Sequence, residues 1–297
     1  MKSKLRKLLL DNKFVFTAET SPPDSGNKDF ITEQVKCLEG LADAINVTDG
    51  AGAKSHMSAL ATAAILAQKG IEPILQFTTR DRNRIAIQGD LLGGWALDIP
   101  NILCLYGDEV KGGDQPDTKE VRDLDTIGLL KTANEIKINK MYPSGRKIEN
   151  APEFFIGGAD TPFKINDDFD GSNLRKKIDA GVEFFQTQYA FDENILKSYM
   201  LKLNKLQITK RAYFIVGLGV IKSAKSARWM NKNLFGINIP KNIIDRIEQS
   251  DNERSEGIKI CIELIDKYKS IEGVNGIHLM GYKQEQEIAT VISHFKR

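Results

Sequence analysis

FVFTAETSPP, residues 14–23, predicts a short β-strand that carries one carboxylate at its end. Side chains alternate across a strand, so Phe16 and Ala18 share an apolar face and Glu19 lies on the opposite one. The two prolines cannot donate ladder hydrogen bonds, so the strand is expected to stop just after Glu19. A lone glutamate at a strand end is more simply a solvated acid, but the same arrangement recurs along this chain. The Glu19 carboxylate is therefore expected at the mouth of the sheet that this strand joins.

Seven further segments have the pattern of a buried strand that ends in polar or glycine residues, and helical patterns separate them. They are residues 44–50, 73–80, 101–108, 153–160, 183–191, 212–220 and 274–281. Eight strands alternating with helices in 297 residues predict an α/β protein, a single (β/α)8 TIM barrel domain over residues 1–297. The pattern also predicts an N-terminal helix on the surface and extra helices before the last strand. A doubly wound open sheet is the alternative, but no GxGxxG motif follows a predicted strand.

The composition indicates an ordinary globular protein and excludes several classes. The chain has 42 basic and 40 acidic residues, well interspersed, and no basic block marks a nucleic-acid partner. Its apolar runs are too short to span a membrane, and the N-terminus lacks the long apolar core of a signal peptide. The three cysteines and three histidines lie far apart and match no metal-ligand spacing. We therefore expect a cytoplasmic protein with no bound metal, no nucleic-acid partner and no membrane association.

Chemistry in such a barrel takes place at the C-terminal face, on residues that end the strands and on the loops that follow. Polar and glycine residues gather there: Glu19, Thr48, Asp49, residues 78–80, Asp108, residues 157–160 and residues 186–188. Gln186 and Gln188 share a face with Phe184, and that face is either the barrel lumen or the side of helices and solvent. The glycine-bearing turns permit close backbone approach of a planar or phosphate-bearing ligand.

Six segments, in this order, resemble the methylenetetrahydrofolate reductase family over nearly the whole chain. They are FVFTAETSPP, INVTDGAGA, FTTRDRN, LCLYGDE, DGSNLRKKIDAG and FFQTQYAFD, and the last two are the most specific. The resemblance implies a flavin-containing (β/α)8 barrel, with FAD or else FMN. It implies reduction of methylene-tetrahydrofolate to methyl-tetrahydrofolate in one-carbon metabolism, for methionine synthesis among other uses. The electron donor would be NAD(P)H or a reductant supplied by a partner reductase subunit, and we expect a homo-oligomer.

The resemblance also implies roles for individual residues. Glu19 matches the acid that protonates the folate bridge nitrogen so that the five-membered ring opens. Asp108 matches an acid that favours the cationic intermediate, and Gln188 matches the glutamine that holds the pterin or the nicotinamide. Cofactor contacts are implied for Thr48, Ala51, Gln76, Tyr106, Gly107, Asp108, Gly157, Asp170, Asn173, Lys176 and Lys177.

The DGSNLRKK segment has support of its own from spacing. Asp170, Asn173 and Lys177 lie at i, i+3 and i+7, so a helix would place them on one face, where they can address one ligand together. Without the flanking matches, an ordinary solvated helix face would be the simpler interpretation.

Five positions depart from the family pattern. Two of them are Gln76, where several members have a flavin-contacting histidine, and Tyr106, which replaces an arginine before Gly-Asp. Asp49 stands where many members have an aromatic or apolar residue. Ala224 falls near a phenylalanine that stacks on the substrates, and Gln284 falls near an arginine that touches the electron donor. Because the acid and pterin positions are kept, these departures leave the electron donor open more than the folate chemistry.

Two other functions stay open. One is a flavin-independent barrel lyase, although no strand-end lysine is placed to form a Schiff base, which counts against an aldolase. The other is a folate-binding or partner-binding subunit of a reductase complex, which would not need the acid pair of Glu19 and Asp108.

Overall fold

Eight parallel strands close into a barrel in chain order, and the first strand pairs with the last. The computed structural model describes residues 2–166 and 168–296. Its strands are β1 (Val15–Thr20), β2 (Ala44–Val47), β3 (Pro73–Thr78), β4 (Asn101–Leu105), β5 (Phe155–Asp160), β6 (Phe184–Tyr189), β7 (Tyr213–Leu218) and β8 (Val274–Leu279). Each lies within its predicted segment, which confirms the (β/α)8 barrel. Residues 1, 167 and 297 of the predicted domain lie outside the described residues.

Helices connect the strands where the apolar spacing predicts them. Over the described ranges they are α1 (Lys4–Leu10), α2 (Lys28–Val35), α3 (Ala59–Gln68), α4 (Arg84–Ala96), α5 (Thr126–Asn139), α6 (Ser172–Asp179), α7 (Glu193–Lys205), α8 (Ala224–Asn233), α9 (Lys241–Glu248), α10 (Glu253–Tyr268) and α11 (Glu285–Phe295). Helices α8, α9 and α10 precede β8, which confirms the extra helices before the last strand. None of the helices in these ranges combines the length and apolar character that a bilayer crossing requires.

The side chains of β1 divide between two cores. Phe16 and Ala18 belong to the large cluster between the strands and the surrounding helices. Val15 belongs to a separate cluster inside the barrel. Thr17 and Glu19 follow Val15 at alternate positions, so they lie on the same inner face, nearer the C-terminal end of the strand. The expected alternation of this strand is confirmed, and it aims Glu19 into the mouth of the barrel.

Helix α1 lies at the surface, as the sequence predicts, and it also closes the N-terminal end of the barrel. Leu5 and Leu9 are buried, and they pack in the inner cluster with Phe155 and Phe184. Lys4, Lys7 and Leu10 are exposed, so α1 is a surface helix, and its buried leucines cover the apolar base that these inward-facing rings form.

Glu72 fixes the position of α1. Its carboxylate accepts hydrogen bonds from the amides of Lys4 and Leu5 at 2.7 and 2.9 Å. These first-turn amides have no partner within their own helix, and the helix dipole favours a negative charge at this end. Glu72 therefore anchors the helix that closes the base of the barrel.

Candidate active site

Glu19 lies at the barrel mouth, and its side chain is 21% exposed. Gln76 on β3 donates a hydrogen bond from Nε2 to Glu19 Oε2 at 3.1 Å. His278 on β8 places its Nε2 3.7 Å from the same oxygen. Two nitrogen groups from other strands therefore position a carboxyl that solvent and a substrate can reach, which suits a general acid.

Below Glu19, one layer nearer the base, lies a buried set of polar side chains that we call the polar floor: Thr17, Asn46, Gln186 and His278. Asn46 Nδ2 donates to Gln186 Oε1 at 2.6 Å, and Gln186 Nε2 donates to Asn46 Oδ1 at 3.0 Å. Gln186 Nε2 also donates to Thr17 Oγ1 at 3.0 Å. Thr17 Oγ1 lies 3.0 Å from His278 Nδ1. The floor thus satisfies its own buried polar groups by hydrogen bonds between strands.

The two glutamines of β6 have different surroundings. Gln186 lies in the lumen, as does Phe184 two residues earlier, so the lumen alternative is the correct one for this residue. Gln188 is half-buried, and its Oε1 accepts a hydrogen bond from the Tyr189 amide at 3.0 Å. The pairing of β6 with β7 shifts register between Gln186 and Tyr189, which interrupts the regular alternation.

Arg80 joins the loops that follow β2, β3 and β4. Its buried guanidinium donates from Nη1 to the carbonyl oxygens of Gly50 and Asp108, at 3.1 and 3.3 Å, and pairs with Asp81. The Asp108 carboxylate accepts a hydrogen bond from the Gly52 amide at 2.7 Å. The predicted acid Asp108 is therefore exposed at the rim and tied to the turn that follows β2.

Tyr106 and Gly107 directly follow β4, in the same part of the rim as Asp108. Arg122, near the other end of the loop between β4 and α5, contacts this segment. The Arg122 guanidinium lies 3.7 Å from the centroid of the Tyr106 ring and donates to the Tyr106 carbonyl at 2.8 Å. Tyr106 is 51% exposed, so part of this residue is open at the rim.

Asp49, a departure from the family pattern, has a structural role here. Its Oδ2 accepts hydrogen bonds from the amide and the hydroxyl of Thr78 at 2.8 and 2.9 Å, and it pairs with the Arg82 guanidinium. Arg82 lies 4.3 Å from the centroid of the Phe77 ring. The side chains of Asp49 and Arg82 are largely buried, so their ion pair ties the end of β2 to the end of β3.

Thr48 and Ala51 flank the turn after β2. Thr48 is buried, and its Oγ1 has no hydrogen-bond partner among the described residues. Buried hydroxyls are hydrogen-bonded in the great majority of cases, so this one indicates a place for a ligand. Ala51 is half-buried and is the first residue of a short 3-10 turn.

Two glycines of the site are required by close packing. Gly50 has a φ of 58°, and a Cβ there would lie 2.3 Å from Arg80 Nη2. A Cβ at Gly157 would lie 2.4 Å from the ring of Phe184. Glycine at these two positions leaves room for the guanidinium at the rim and for the aromatic ring in the lumen.

The DGSNLRKK segment is divided by the start of α6. Asp170 precedes the helix, and its Oδ1 accepts a hydrogen bond from the Ser172 amide at 2.8 Å, which lowers the pKa of Asp170. Gly171, with a φ of 72°, separates Asp170 from the helix. The prediction that Asp170 shares one helical face with Asn173 and Lys177 is therefore wrong, because Asp170 is not in the helix. Asn173 and Lys176 are in the helix and exposed.

Lys177 faces the end of β5. Its Nζ donates to the carbonyl of Ala159 at 2.6 Å. Burial lowers the pKa of Lys177, and the nearby Asp160 carboxylate partly opposes that effect. Asp160 accepts hydrogen bonds from the Tyr199 hydroxyl at 3.0 and 2.9 Å, and burial raises its pKa. Lys177 thus places a basic group at the C-terminal end of the strand, separate from the exposed part of α6.

Ala224 and Gln284 present neither the ring nor the cation of the family pattern. Ala224 is buried at the start of α8. Gln284 is buried as well, and its Oε1 has no hydrogen-bond partner in the ranges 2–166 and 168–296. These two positions therefore offer an electron donor no stacking surface and no positive charge.

Three residues of the site were not predicted from the sequence: His278, Asn46 and Arg82. His278 is one of three isolated histidines. Its place between Ile277 and Leu279 in a largely apolar strand is the signal that could have indicated the lumen. Asn46 likewise interrupts an apolar strand, and Arg82 lies in the segment FTTRDRN. Among the described residues, no group of three or more His, Cys, Asp or Glu side chains is arranged to hold a metal ion.

A family model and a curated relative are similar to this chain in sequence. A family model described as methylenetetrahydrofolate reductase matches residues 4–296. A Caenorhabditis elegans protein described as probable methylenetetrahydrofolate reductase (NADPH) is 24% identical over 304 residues. That match covers 97% of this chain and 43% of the relative, so the chain spans less than half the length of the curated protein.

Solved structures share the barrel. A protein from Clostridium thermocellum, described as binding two copies of 5-methyl-5,6,7,8-tetrahydrofolic acid, has a TM-score of 0.66 at 14% identity, over 98% of this chain and 99% of its own. An F420-dependent secondary alcohol dehydrogenase has a TM-score of 0.58 at 12% identity, over 95% and 98% of the two chains. At these identities the superpositions show the fold alone.

The family model extends from α1 to the end of α11 and so includes every strand of the barrel. It also spans all the polar groups described at the mouth. On the strength of this match, the chain belongs to the methylenetetrahydrofolate reductase family.

Proposed function

We propose that this protein reduces methylene-tetrahydrofolate to methyl-tetrahydrofolate with a bound flavin, and that Glu19 is the general acid. The observation that carries the proposal is the placement of Glu19, a partly exposed carboxyl in the barrel mouth beside Gln76 and His278. Family membership supports the reaction. The Clostridium thermocellum protein of the same fold, described as binding a methylated tetrahydrofolate, supports a folate ligand.

The rim of the barrel fits a flavin. The buried Thr48 hydroxyl, which has no partner among the described residues, would bond a polar atom of that cofactor. The other residues proposed to hold it are Ala51, Gln76, Tyr106, Gly107, Asp108, Asp170, Asn173, Lys176 and Lys177. Gly157 is not among them, because the ring of Phe184 packs against it. The DGSNLRKK segment favours FAD over FMN. A flavin bound here supplies hydride transfer, which is the redox chemistry that the reaction needs.

Glu19 provides the proton that opens the folate ring. Opening the five-membered ring breaks a carbon–nitrogen bond, and the leaving nitrogen departs more readily when a general acid protonates it. Gln76 and His278 both approach Oε2 of the carboxyl. Within the described residues no group donates a hydrogen bond to Oε1, so we assign the transferred proton to Oε1.

Asp108 and Gln188 act on the folate from the rim. Ring opening leaves a positive charge on the one-carbon unit, and the Asp108 carboxylate stabilises that charge. The Oε1 of Gln188 already accepts from the Tyr189 amide. Its Nε2 is therefore the group that donates to an acceptor on the pterin.

A partner reductase subunit is the proposed source of electrons, with free NAD(P)H a slower one. Ala224 and Gln284 are both buried and offer a nicotinamide neither a ring nor a cation. The Caenorhabditis elegans relative is described with NADPH, so nicotinamide use is the alternative. Reduction of the bound flavin by free NADH or NADPH at ordinary enzyme rates, in this protein alone, would decide for the alternative.

Anaerobic stopped-flow spectroscopy tests the reaction. The purified protein should show flavin absorbance and, after reduction by a low-potential chemical donor, should be reoxidised by methylene-tetrahydrofolate with formation of methyl-tetrahydrofolate. A colourless protein that takes up neither FAD nor FMN would point to the flavin-independent lyase. A coloured protein that binds folate without being reoxidised by it would point to a binding subunit. Either result contradicts the proposed function.

A further inference from the structure

The pair of Asn46 and Gln186 lies at one end of a chain of buried hydrogen bonds that leads to the proposed acid. Both side chains are almost inaccessible to solvent, so their hydrogen bonds are not exchanged for bonds to water. The chain runs from this pair through Thr17 to His278, and the far nitrogen of His278 lies 3.7 Å from Glu19 Oε2. Each link has a direction, because each group has a fixed number of protons to donate.

Counting donors fixes that direction. The amide nitrogen of Gln186 has two protons, and it uses one for Asn46 Oδ1 and one for Thr17 Oγ1. The Thr17 hydroxyl accepts from Gln186, and among the described residues the one acceptor within hydrogen-bond distance of its own proton is His278 Nδ1, 3.0 Å away. If Nδ1 donated instead, the buried Thr17 proton would have no acceptor there. A ring nitrogen that accepts a hydrogen bond carries no proton of its own. The proton of a neutral His278 is then on Nε2, the nitrogen that faces Glu19.

We propose that Asn46 and Gln186 are positioning residues, which hold His278 as the tautomer that carries its proton on Nε2, directed at Glu19. Asn46 contributes by accepting one Gln186 proton and donating to Gln186 Oε1 at 2.6 Å, which holds the amide plane in place. With the amide reversed, Thr17 would donate to Gln186 and His278 would carry its proton on Nδ1 instead.

The tautomer determines which oxygen of Glu19 carries the acid proton, and this step rests on the proposed function. Gln76 donates to Oε2, and an Nε2–H of His278 would be a second donor beside the same oxygen. The hydrogen bond from Gln76 and the N–H dipole of His278, 3.7 Å away, both favour Oε2 as the acceptor oxygen, which leaves the carboxyl proton on Oε1. The polar floor thus presents the proton of Glu19 on the oxygen that neither nitrogen group approaches.

Nitrogen NMR of the purified protein tests the tautomer without reference to activity. Long-range proton–nitrogen spectra of protein labelled with ¹⁵N-histidine separate a protonated ring nitrogen from an unprotonated one. The chain has three histidines, and the signal that disappears in His278→Gln identifies the residue. We expect Nε2 to be the protonated nitrogen in the wild-type protein. An Nδ1-protonated His278 overturns the proposal.

The variant Gln186→Glu tests the cause. Its carboxylate cannot donate to Thr17, so the Thr17 hydroxyl should donate to it and accept from His278, and the proton should move to Nδ1. Gln249→Glu makes the same change at an exposed position after α9 and should leave the His278 spectrum unchanged. A folded Gln186→Glu protein that keeps the wild-type tautomer contradicts the proposal. If this variant fails to fold, the wild-type spectrum alone decides.

The rate of reoxidation by methylene-tetrahydrofolate tests the link to catalysis. It should fall ~10-fold in Gln186→Glu, because the N–H of His278 would no longer point at the Glu19 carboxyl, and this loss is smaller than the ~10²-fold expected for losing the acid itself. If the tautomer of His278 switches in Gln186→Glu but the rate of reoxidation is unchanged, the tautomer does not affect catalysis and that link is overturned. A wild-type protein that has the expected tautomer but does not reduce the folate would contradict the proposed function and leave the tautomer assignment standing.

Discussion

Gln76 donates a hydrogen bond to Glu19 at 3.1 Å, although the two residues belong to β3 and β1, which do not pair with each other. Strand β2 lies between them in the sheet. The contact is possible because inner side chains of alternate strands meet at the same level of a closed barrel. The position of the proposed acid therefore depends on the closed lumen as much as on its own strand.

Closure at the base can be tested with Leu5→Ala. This variant should lower the free energy of unfolding by about 2–5 kcal/mol, because it empties a fully buried leucine site. Leu10→Ala, the same change on the exposed side of α1, should stay within about 0.5 kcal/mol of the wild type. Urea unfolding measures both. Similar small effects of the two variants would mean that α1 contributes little as a cover for the barrel.

The ion pair between Asp49 and Arg82 should be a structural tie between β2 and β3. Arg82→Ala should destabilise the protein by about 2–4 kcal/mol, because it leaves a largely buried carboxylate without its partner. Asp49→Asn keeps an acceptor for Thr78 and should recover part of that loss when the two changes are combined. Urea unfolding of the double-mutant cycle gives the coupling energy, and additive effects would show that the pair has no stabilising interaction.

The strands could be predicted from sequence because alternation and polar strand ends are local features. The inner face of β1 is correct to the residue, and Glu19 lies where the two prolines place it. The cover formed by α1 could not be predicted, since Leu5 and Leu9 read as one side of a short amphipathic helix. Only the closed barrel shows that an apolar base is available for them.

The contacts within the site were less accessible to sequence reasoning. Asn46 and Gln186 are 140 residues apart, and their pairing depends on which strands of the barrel face each other. The partner of Asp49 could not be predicted for the same reason, because Arg82 belongs to the loop after a neighbouring strand. The spacing argument was also wrong for Asp170. The helix begins at Ser172, after the left-handed Gly171, so Asp170 lies outside it. Chain position predicts which side chains reach the mouth, whereas their partners follow from the register of the barrel.

Lys177→Met should weaken retention of the proposed flavin. The side chain keeps its stem but loses the basic group held at the end of β5. Loss of one charged contact to a ligand phosphate should raise the dissociation constant roughly ten-fold, which corresponds to about 1.4 kcal/mol. Lys131→Met, on the exposed face of α5, is the control. Fluorescence titration of the apoprotein with FAD measures both, and equal affinities would remove Lys177 from the site.

Asp160→Asn should stabilise the protein near neutral pH but not in acid. Burial raises the pKa of Asp160, so the folded protein holds this proton more tightly than the unfolded chain does. The stabilisation due to the proton is complete below the unfolded pKa of about 4, and it is lost as the pH rises through the folded pKa. Asparagine keeps an acceptor for the Tyr199 hydroxyl and has no charge to bury.

Urea midpoints of the wild type and Asp160→Asn, measured across this pH range, check the sign. The midpoint of the variant should exceed that of the wild type near pH 7, and the difference should vanish near pH 3.5. A variant that is less stable at neutral pH would mean that attraction between Asp160 and Lys177 outweighs the cost of burying the carboxylate.

Glu19→Gln should separate the two half-reactions of the proposed enzyme. Reduction of the flavin needs no proton from Glu19, so flavin content and the rate of reduction by a chemical donor should stay close to those of the wild type. Glutamine keeps the size of the side chain and an oxygen that can accept from Gln76 Nε2, so the variant should fold. Glu149→Gln, at an exposed position, is the control for the change of charge.

Reoxidation by methylene-tetrahydrofolate should fall at least ~10²-fold in Glu19→Gln, the lower range for losing general-acid catalysis. Binding of the folate should change much less, because an interaction made only in the transition state lowers the rate without weakening the ground-state complex. Stopped-flow traces at several folate concentrations give the rate and the affinity separately. Reoxidation at nearly the wild-type rate would assign the acid to another group. Loss of flavin or of stability would instead mean that Glu19, held by Gln76 and His278, is part of the structure of the mouth rather than its acid.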